Sequence, residues 1–293
     1  MINYIQLVKS NPEYFKQFSC NDLLFLNYDC PVEVKKAAKW TEHNYIYYVL
    51  SGKKTLHATE TSLTLVPGSI AFMKKGACIV EQFFEDPFCI VVFVMPDCFI
   101  NSFLKGYAPS EVPTSSSTMP IIPIYDNAVI HSFYQSIIPY FAHAEDVPAD
   151  ILELKFKELL LYILHNPENE ELRNYLLTLR DKPGPPLKEI MENNYAYNLR
   201  LEEYAKLTNR SVSSFKRDFQ ALYKTSPGKW LTDKKLERAK KLLLHSDARV
   251  SDVAFDSGFE NTAHFSRMFR QKTGITPMEY RKAGMSRRLA IAV

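Results

Sequence analysis

Between residues 20 and 100, apolar and β-branched side chains come in short runs broken by turn residues. The runs are Leu23 to Tyr28, Tyr45 to Leu50, Lys54 to Ala58, Ser62 to Val66, Ile70 to Met73, Ile79 to Phe84 and Ile90 to Val94. Ser51-Gly52, Pro67-Gly68, Lys75-Gly76 and Asp86-Pro87 punctuate them. Runs of this length and residue type read as strands, and seven of them at close spacing predict an all-β sandwich or barrel. Ala108 to Pro123, rich in Ser, Thr and Pro, reads as a loop. The period then changes. In Asp150 to His165, the positions Leu152, Phe156, Leu159 and Ile163 form one helical stripe. Leu172, Tyr175, Leu176 and Leu179 repeat that pattern, and a further helix near Val129 to Ile138 is stopped by Pro139. Such spacing serves a subunit interface as well as an internal core. Leu152, Phe156, Leu159 and Ile163 are therefore the candidate dimer interface, with packing against the β domain as the alternative.

Asp181-Lys182-Pro183-Gly184-Pro185-Pro186 breaks any helix. It sets a boundary between residues 1–182, with a helical segment over 128–180, and residues 183–293. Beyond it the sequence repeats weakly at a period of 50: Phe215, Arg217, Phe219, Pro227 and Trp230 are matched by Phe265, Arg267, Phe269, Pro277 and Tyr280. Tyr204-Ala205 matches Val253-Ala254 one residue out of phase, which implies one extra turn residue in the second copy. A repeat this short is one supersecondary unit.

Each copy has the same internal logic. A short helix, Leu201 to Leu207, precedes the turn Thr208-Asn209-Arg210, and Ser211 stands where an N-cap would accept from the next helix, Val212 to Tyr223. In the second copy Val250 to Asp256 is the short helix, Gly258 suits a tight turn, and Asn261 or Thr262 can cap a helix ending near Lys272. Phe215, Phe219 and Leu222 share one apolar face, as do Phe265 and Phe269. Two short helices joined by such a turn make a helix-turn-helix. The second helix can enter a DNA major groove, where Arg, Lys, Ser and Thr donate to base edges. An ordinary helical bundle with a solvated polar face is the alternative. The candidate DNA-contacting residues are Ser211, Ser213, Lys216 and Arg217 in the first copy. In the second they are Asn261, Thr262, His264, Ser266 and Arg267.

Charge sharpens this picture. The net charge of the 293-residue chain is only +3. From Pro183 onward, however, 21 Lys/Arg face 12 Asp/Glu, a surplus of nine, while the preceding residues carry 15 and 21, a deficit of six. A basic segment beside an acidic one suggests a polyanion partner, with a solvated charged face as the alternative. Composition is that of a globular protein, with 46% hydrophobic and 24% charged residues. The apolar runs are too short to span a bilayer, and the N-terminal residues lack a signal-peptide pattern. Five cysteines without a CxxC pair fit free thiols and a cytoplasmic location.

Several runs together resemble the signature of the AraC/XylS family of transcription regulators. They are Leu236-Glu237-Arg238-Ala239-Lys240-Lys241-Leu242-Leu243, Val250 to Phe259, His264 to Arg270, and Thr273-Gly274-Ile275-Thr276-Pro277-Met278-Glu279-Tyr280-Arg281. Ala205 to Trp230 matches more loosely, with Lys224 in the place of Gly274. Tyr45 to Leu50, Ser51-Gly52 and Leu65 to Ile70 look like the cupin-type sensing domain of that family. The layout is also similar to the subgroup that activates type III secretion genes. The resemblance implies that Ser213, Lys216 and Arg217, then Thr262, His264, Ser266 and Arg267, face the bases, and that Leu231 to Leu244 is a rigid connector. Ala263 stands where many relatives carry a polar group.

The expected fold is α+β: a cupin-like sandwich or barrel with following helices, then an all-α domain with two helix-turn-helix units. The expected function is a sequence-specific regulator, an activator, with promoter DNA and RNA polymerase as partners, and a small molecule or a protein acting on the first domain. Tyr45, Tyr47 and Phe72 are the candidate effector-pocket residues. The alternative is a cupin-like enzyme with an accessory DNA-binding tail. That enzyme would need three metal ligands around an open position. His43 and His57 form no HxH pair and no Glu follows at suitable spacing, so no metal, cofactor or catalytic residue is assigned.

Overall fold

The computed structural model describes residues 1–20, 23–29, 34–107, 119–142, 147–180 and 186–291, with the side chains of 285–291 excepted. Its contacts divide into two compact units. One comprises Met1–Asn193 with Leu207–Asn209, and the other Asn194–Lys206 with Arg210–Val293. The breaker segment lies, up to Pro185, outside the described residues.

The first unit begins with β1 (Ile2–Asn3), α1 (Tyr4–Ser10), β2 (Lys16–Cys20), β3 (Leu23–Asp29), β4 (Lys36–Thr41), β5 (Asn44–Ser51) and β6 (Lys54–His57). It continues through β7 (Ser62–Leu65), β8 (Ile70–Met73), β9 (Gly76–Gln82), β10 (Cys89–Met95), α2 (Asp97–Lys105) and β11 (Ile121–Ile124). The helices α3 (Ala128–Ile137), α4 (Ala149–His165), α5 (Glu170–Leu179) and α6 (Leu187–Asn194) follow. Two sheets form, ordered β1-β4-β9-β6-β7 and β11-β8-β5-β10-β3-β2. All seven expected strands are present, and β1, β2, β4 and β11 join them. The segment read as a loop up to Pro123 is thus corrected at its end, because β11 starts at Ile121. Its Pro123 is tolerated because β11 is an edge strand, while 108–118 lie outside the described residues.

The six-stranded sheet is buried on both faces. Successive side chains point to opposite sides of a strand. Ile46 and Tyr48 of β5 therefore join Phe72, Phe93 and Phe25 beneath the helices. Tyr45, Tyr47 and Val49 join the core shared with the five-stranded sheet. Burial on two faces explains why β5 and β10 read as nearly continuous apolar runs.

The stripe Leu152, Phe156, Leu159, Ile163 lies in the first of these cores, each residue 2% exposed or less. The Phe156 ring meets Phe25 and Phe93 edge-on at 5.4 and 5.5 Å. These four side chains are core, and the interface reading of them is corrected: an aromatic layer under the sheet already covers the stripe. The exposed face of α4 carries Leu154 and Leu161 instead.

Candidate functional site

The second unit contains α7 (Leu201–Leu207), α8 (Val212–Tyr223), α9 (Pro227–His245), α10 (Val250–Asp256), α11 (Thr262–Thr273) and α12 (Pro277–Ile291). Four residues separate α7 from α8 and five separate α10 from α11, the phase slip seen in the repeat. The organising element is α9. Its Trp230 packs on Tyr223 and Phe219 of α8 at 4.9 and 5.9 Å between ring centroids. Further along, its Leu236, Ala239 and Leu243 are buried with Val253, Ala254, Phe265 and Phe269. A 19-residue helix is roughly 28 Å long at 1.5 Å per residue. One rigid helix therefore belongs to the cores of both repeats.

Both second helices start on a side-chain cap. Ser211 Oγ accepts from the Ser214 amide at 3.2 Å. Asn261 Oδ1 accepts from the amides of Ala263 and His264 at 2.8 and 3.1 Å. These two oxygens are engaged in fixing the helix starts, so Ser211 and Asn261 position their helices. Thr262 is the first helical residue, not the cap. Both helices also end alike, with Lys224 and Gly274 in the left-handed region at φ 56° and 82°. Lys224 thus takes a conformation that costs a side-chain-bearing residue about 1 kcal/mol. Lys224→Gly is expected to raise stability by that amount, seen as a higher urea midpoint; a lower midpoint would contradict the helix end described.

With Phe215, Phe219, Phe265 and Phe269 buried, the opposite faces are set. Ser213, Lys216, Arg217, His264 and Arg267 are exposed, and Thr262 and Ser266 are half-buried. The two arginines differ in their surroundings. Arg217 donates to Asp218 and Ser214 of its own helix at 3.1 and 3.2 Å. Arg210 holds Asp218 from the other side at 3.0 Å. These bonds from Arg210 and Arg217 keep the Asp218 carboxyl below the usual range. Arg267 makes no ion pair among the described residues, Glu260 and Asp256 included.

The sequence did not single out the groove beside α11, where Asn198, Thr232 and Lys235 meet Glu260, His264 and Arg267. Lys235 donates to Asn198 Oδ1 and to the Gly258 carbonyl, each at 2.8 Å. Burial pulls its ammonium down to about 8, opposed by the Glu260 carboxylate. The adjacent pair Lys234-Lys235 was the only hint in the sequence, and a charged pair on a helix ordinarily reads as solvated surface.

A second site lies inside the first unit. A small cavity, partly open at its mouth, lies between the two sheets beneath α1. Tyr47 lines it; Tyr45 does not, and its place as a pocket residue is corrected, since it packs beside Tyr47 at 4.8 Å between ring centroids. Phe72 does not line it, and its place as a pocket residue is corrected. It pairs with Ile46 in the sheet, so it shares that residue's face and packs on Tyr175. Elsewhere in the sandwich His57 is bonded to Ser62 and Glu81 at 2.9 and 2.8 Å. Among the described residues no cluster of His, Cys, Asp and Glu could hold a metal ion, and no helix is long and apolar enough to cross a membrane.

Two helix-turn-helix units on a shared helix, behind a two-sheet β domain, define a DNA-binding transcription regulator. A family model described as the ExsA N-terminal regulatory domain matches residues 44–175, and one described as a helix-turn-helix domain matches residues 204–283. The chain is similar to transcription regulators of the AraC/XylS family. The virulence regulon transcriptional activator VirF of Yersinia enterocolitica is 26% identical over 249 residues, 83% of this chain and 91% of that one. The HTH-type transcriptional regulator ExsA of Pseudomonas aeruginosa is 25% identical over 240 residues, 81% of this chain and 85% of that one. A solved structure of ToxT from Vibrio cholerae aligns with a TM-score of 0.41 at 13% identity, over 89% of this chain and 98% of that one.

Proposed function

We propose that the chain activates transcription in the cytoplasm by laying α8 and α11 in successive major grooves of one promoter site. Ser213, Lys216 and Arg217, then Thr262, His264, Ser266 and Arg267, face the bases. RNA polymerase is the downstream partner. Residues 183–293 form the functional DNA-binding domain, and residues 1–182 receive the controlling signal through a small molecule in the inter-sheet cavity. Two chains on adjacent sites gain through effective concentration. The observation that carries this reading is the pair of capped helices with polar, cationic outer faces on one connecting helix.

The second helix-turn-helix supplies the larger share of base discrimination. Arg267 is free to reach a guanine, whereas Arg217 must first leave Asp218 and Ser214. Arg267→Ala is expected to weaken binding to the specific site by about 1–3 kcal/mol and to relax the preference at one or two base pairs. Titrations on the selected site and on scrambled DNA decide it. Equal loss on both would reduce Arg267 to a phosphate contact, and no loss would remove it from the interface.

A further inference from the structure

Two segments meet beside α9, one from each repeat. Residues 195–199 lead into α7 and are anchored in the first repeat. The Tyr195 ring meets Trp230 edge-on at 6.5 Å, and the Tyr204 hydroxyl donates to the Asn194 carbonyl at 2.8 Å. Tyr195, Tyr197 and Leu199 are buried there. The turn at Gly258 belongs to the second repeat and leads to the start of α11. These segments touch so closely that a Cβ on Gly258 would collide with the Ala196 carbonyl. Lys235 of α9 stands at the meeting point. Its ammonium donates to Asn198 Oδ1 of one segment and to the Gly258 carbonyl of the other, each at 2.8 Å.

Bonds from a charged donor are roughly twice as strong as neutral ones, and partial burial strengthens them further. The helix α9 holds each repeat through a separate core: Trp230 serves the first, and Leu236, Ala239 and Leu243 serve the second. Two cores on one helix can rock independently unless something joins them across it. Lys235 makes that join directly. We infer that Lys235, by tying Asn198 to the Gly258 carbonyl, locks the second helix-turn-helix to the first and so fixes the number of base pairs between the stretches read by α8 and α11. Lys235 is a positioning residue in this role and needs no contact with DNA. The inference rests on the reading that both helices enter one site.

Titrations of the full chain on a site selected from random DNA, and on that site with one base pair inserted or removed between its two footprinted segments, test it. One base pair shifts the second segment by about 3.4 Å and turns it by about 35°. The unaltered chain is expected to bind the altered sites about tenfold more weakly, as for one mismatched base pair. In Lys235→Met most of that preference is expected to vanish, leaving about threefold or less. A ratio between sites cancels any uniform loss from removing a positive charge. Asn198→Ala keeps the charge and the Gly258 bond, yet is expected to lower the preference too, and the double variant no further than either single one. If Lys235→Met does not fold by circular dichroism, Asn198→Ala decides. An intact preference in Asn198→Ala would overturn the inference and leave Lys235 as a support of the turn alone. An intact preference in a folded Lys235→Met chain, even one with a lower melting temperature, would overturn it as well. So would two footprinted segments with equal tolerance of all three sites in the unaltered chain. A single footprinted segment would instead overturn the two-groove reading, and the inference with it.

Discussion

Leu159→Asp is expected to unfold the first unit. Leu159 is fully buried on α4, within the aromatic and aliphatic layer under the six-stranded sheet. The substitution removes a large apolar side chain and places a carboxylate where the surrounding side chains are apolar. The combined cost is about 4–5 kcal/mol, comparable to the whole stability of many domains. Leu154→Asp, on the same helix but 59% exposed, should change stability by less than about 0.5 kcal/mol. Urea unfolding followed by near-ultraviolet circular dichroism separates the two. A folded Leu159→Asp chain that loses only self-association would restore the stripe as an interface.

Gly258→Ala is expected to abolish specific DNA binding. Gly258 lies in the turn before α11 at φ 90°, a region that favours glycine. A Cβ there would stand 2.3 Å from the Ala196 carbonyl oxygen and 2.8 Å from its carbon, both backbone atoms. The turn must therefore move, and α11 with it, at about 3 kcal/mol or more. Two other glycines set the scale. Gly274 has φ 82° but open space, so Gly274→Ala should cost about 1 kcal/mol. Gly228 has open space in α9 without that constraint, and Gly228→Ala should be neutral or slightly stabilising. The loss of specific affinity should be greatest in Gly258→Ala, small in Gly274→Ala and absent in Gly228→Ala. Near-normal binding by Gly258→Ala would mean that the turn geometry is not what aims α11.

The DNA-binding half was readable because its signals are local. The phenylalanine pairs at 215 and 219, and at 265 and 269, fix which face of each helix is buried, so the opposite residues follow from helical spacing alone. Strands β1 and β4 were not readable in the same way. β1 is two residues long, and β4 runs Lys-Ala-Ala-Lys-Trp-Thr without β-branched residues until its end. They are strands because neighbouring strands offer backbone partners, a non-local cause. Phe72 was misplaced for a related reason. Alternation separates the two faces of a strand, but only the register Ile46 to Phe72 says which face meets the helices.

One chain is expected to read two successive major grooves through α8 and α11. Hydroxyl-radical and methylation footprinting of the full chain on a site selected from random DNA tests it most directly. Two major-groove contacts on one face, about 34 Å apart, are expected, with Arg267→Ala removing one and leaving the other. A single contact patch, or equal loss of both patches in Arg267→Ala, would contradict it.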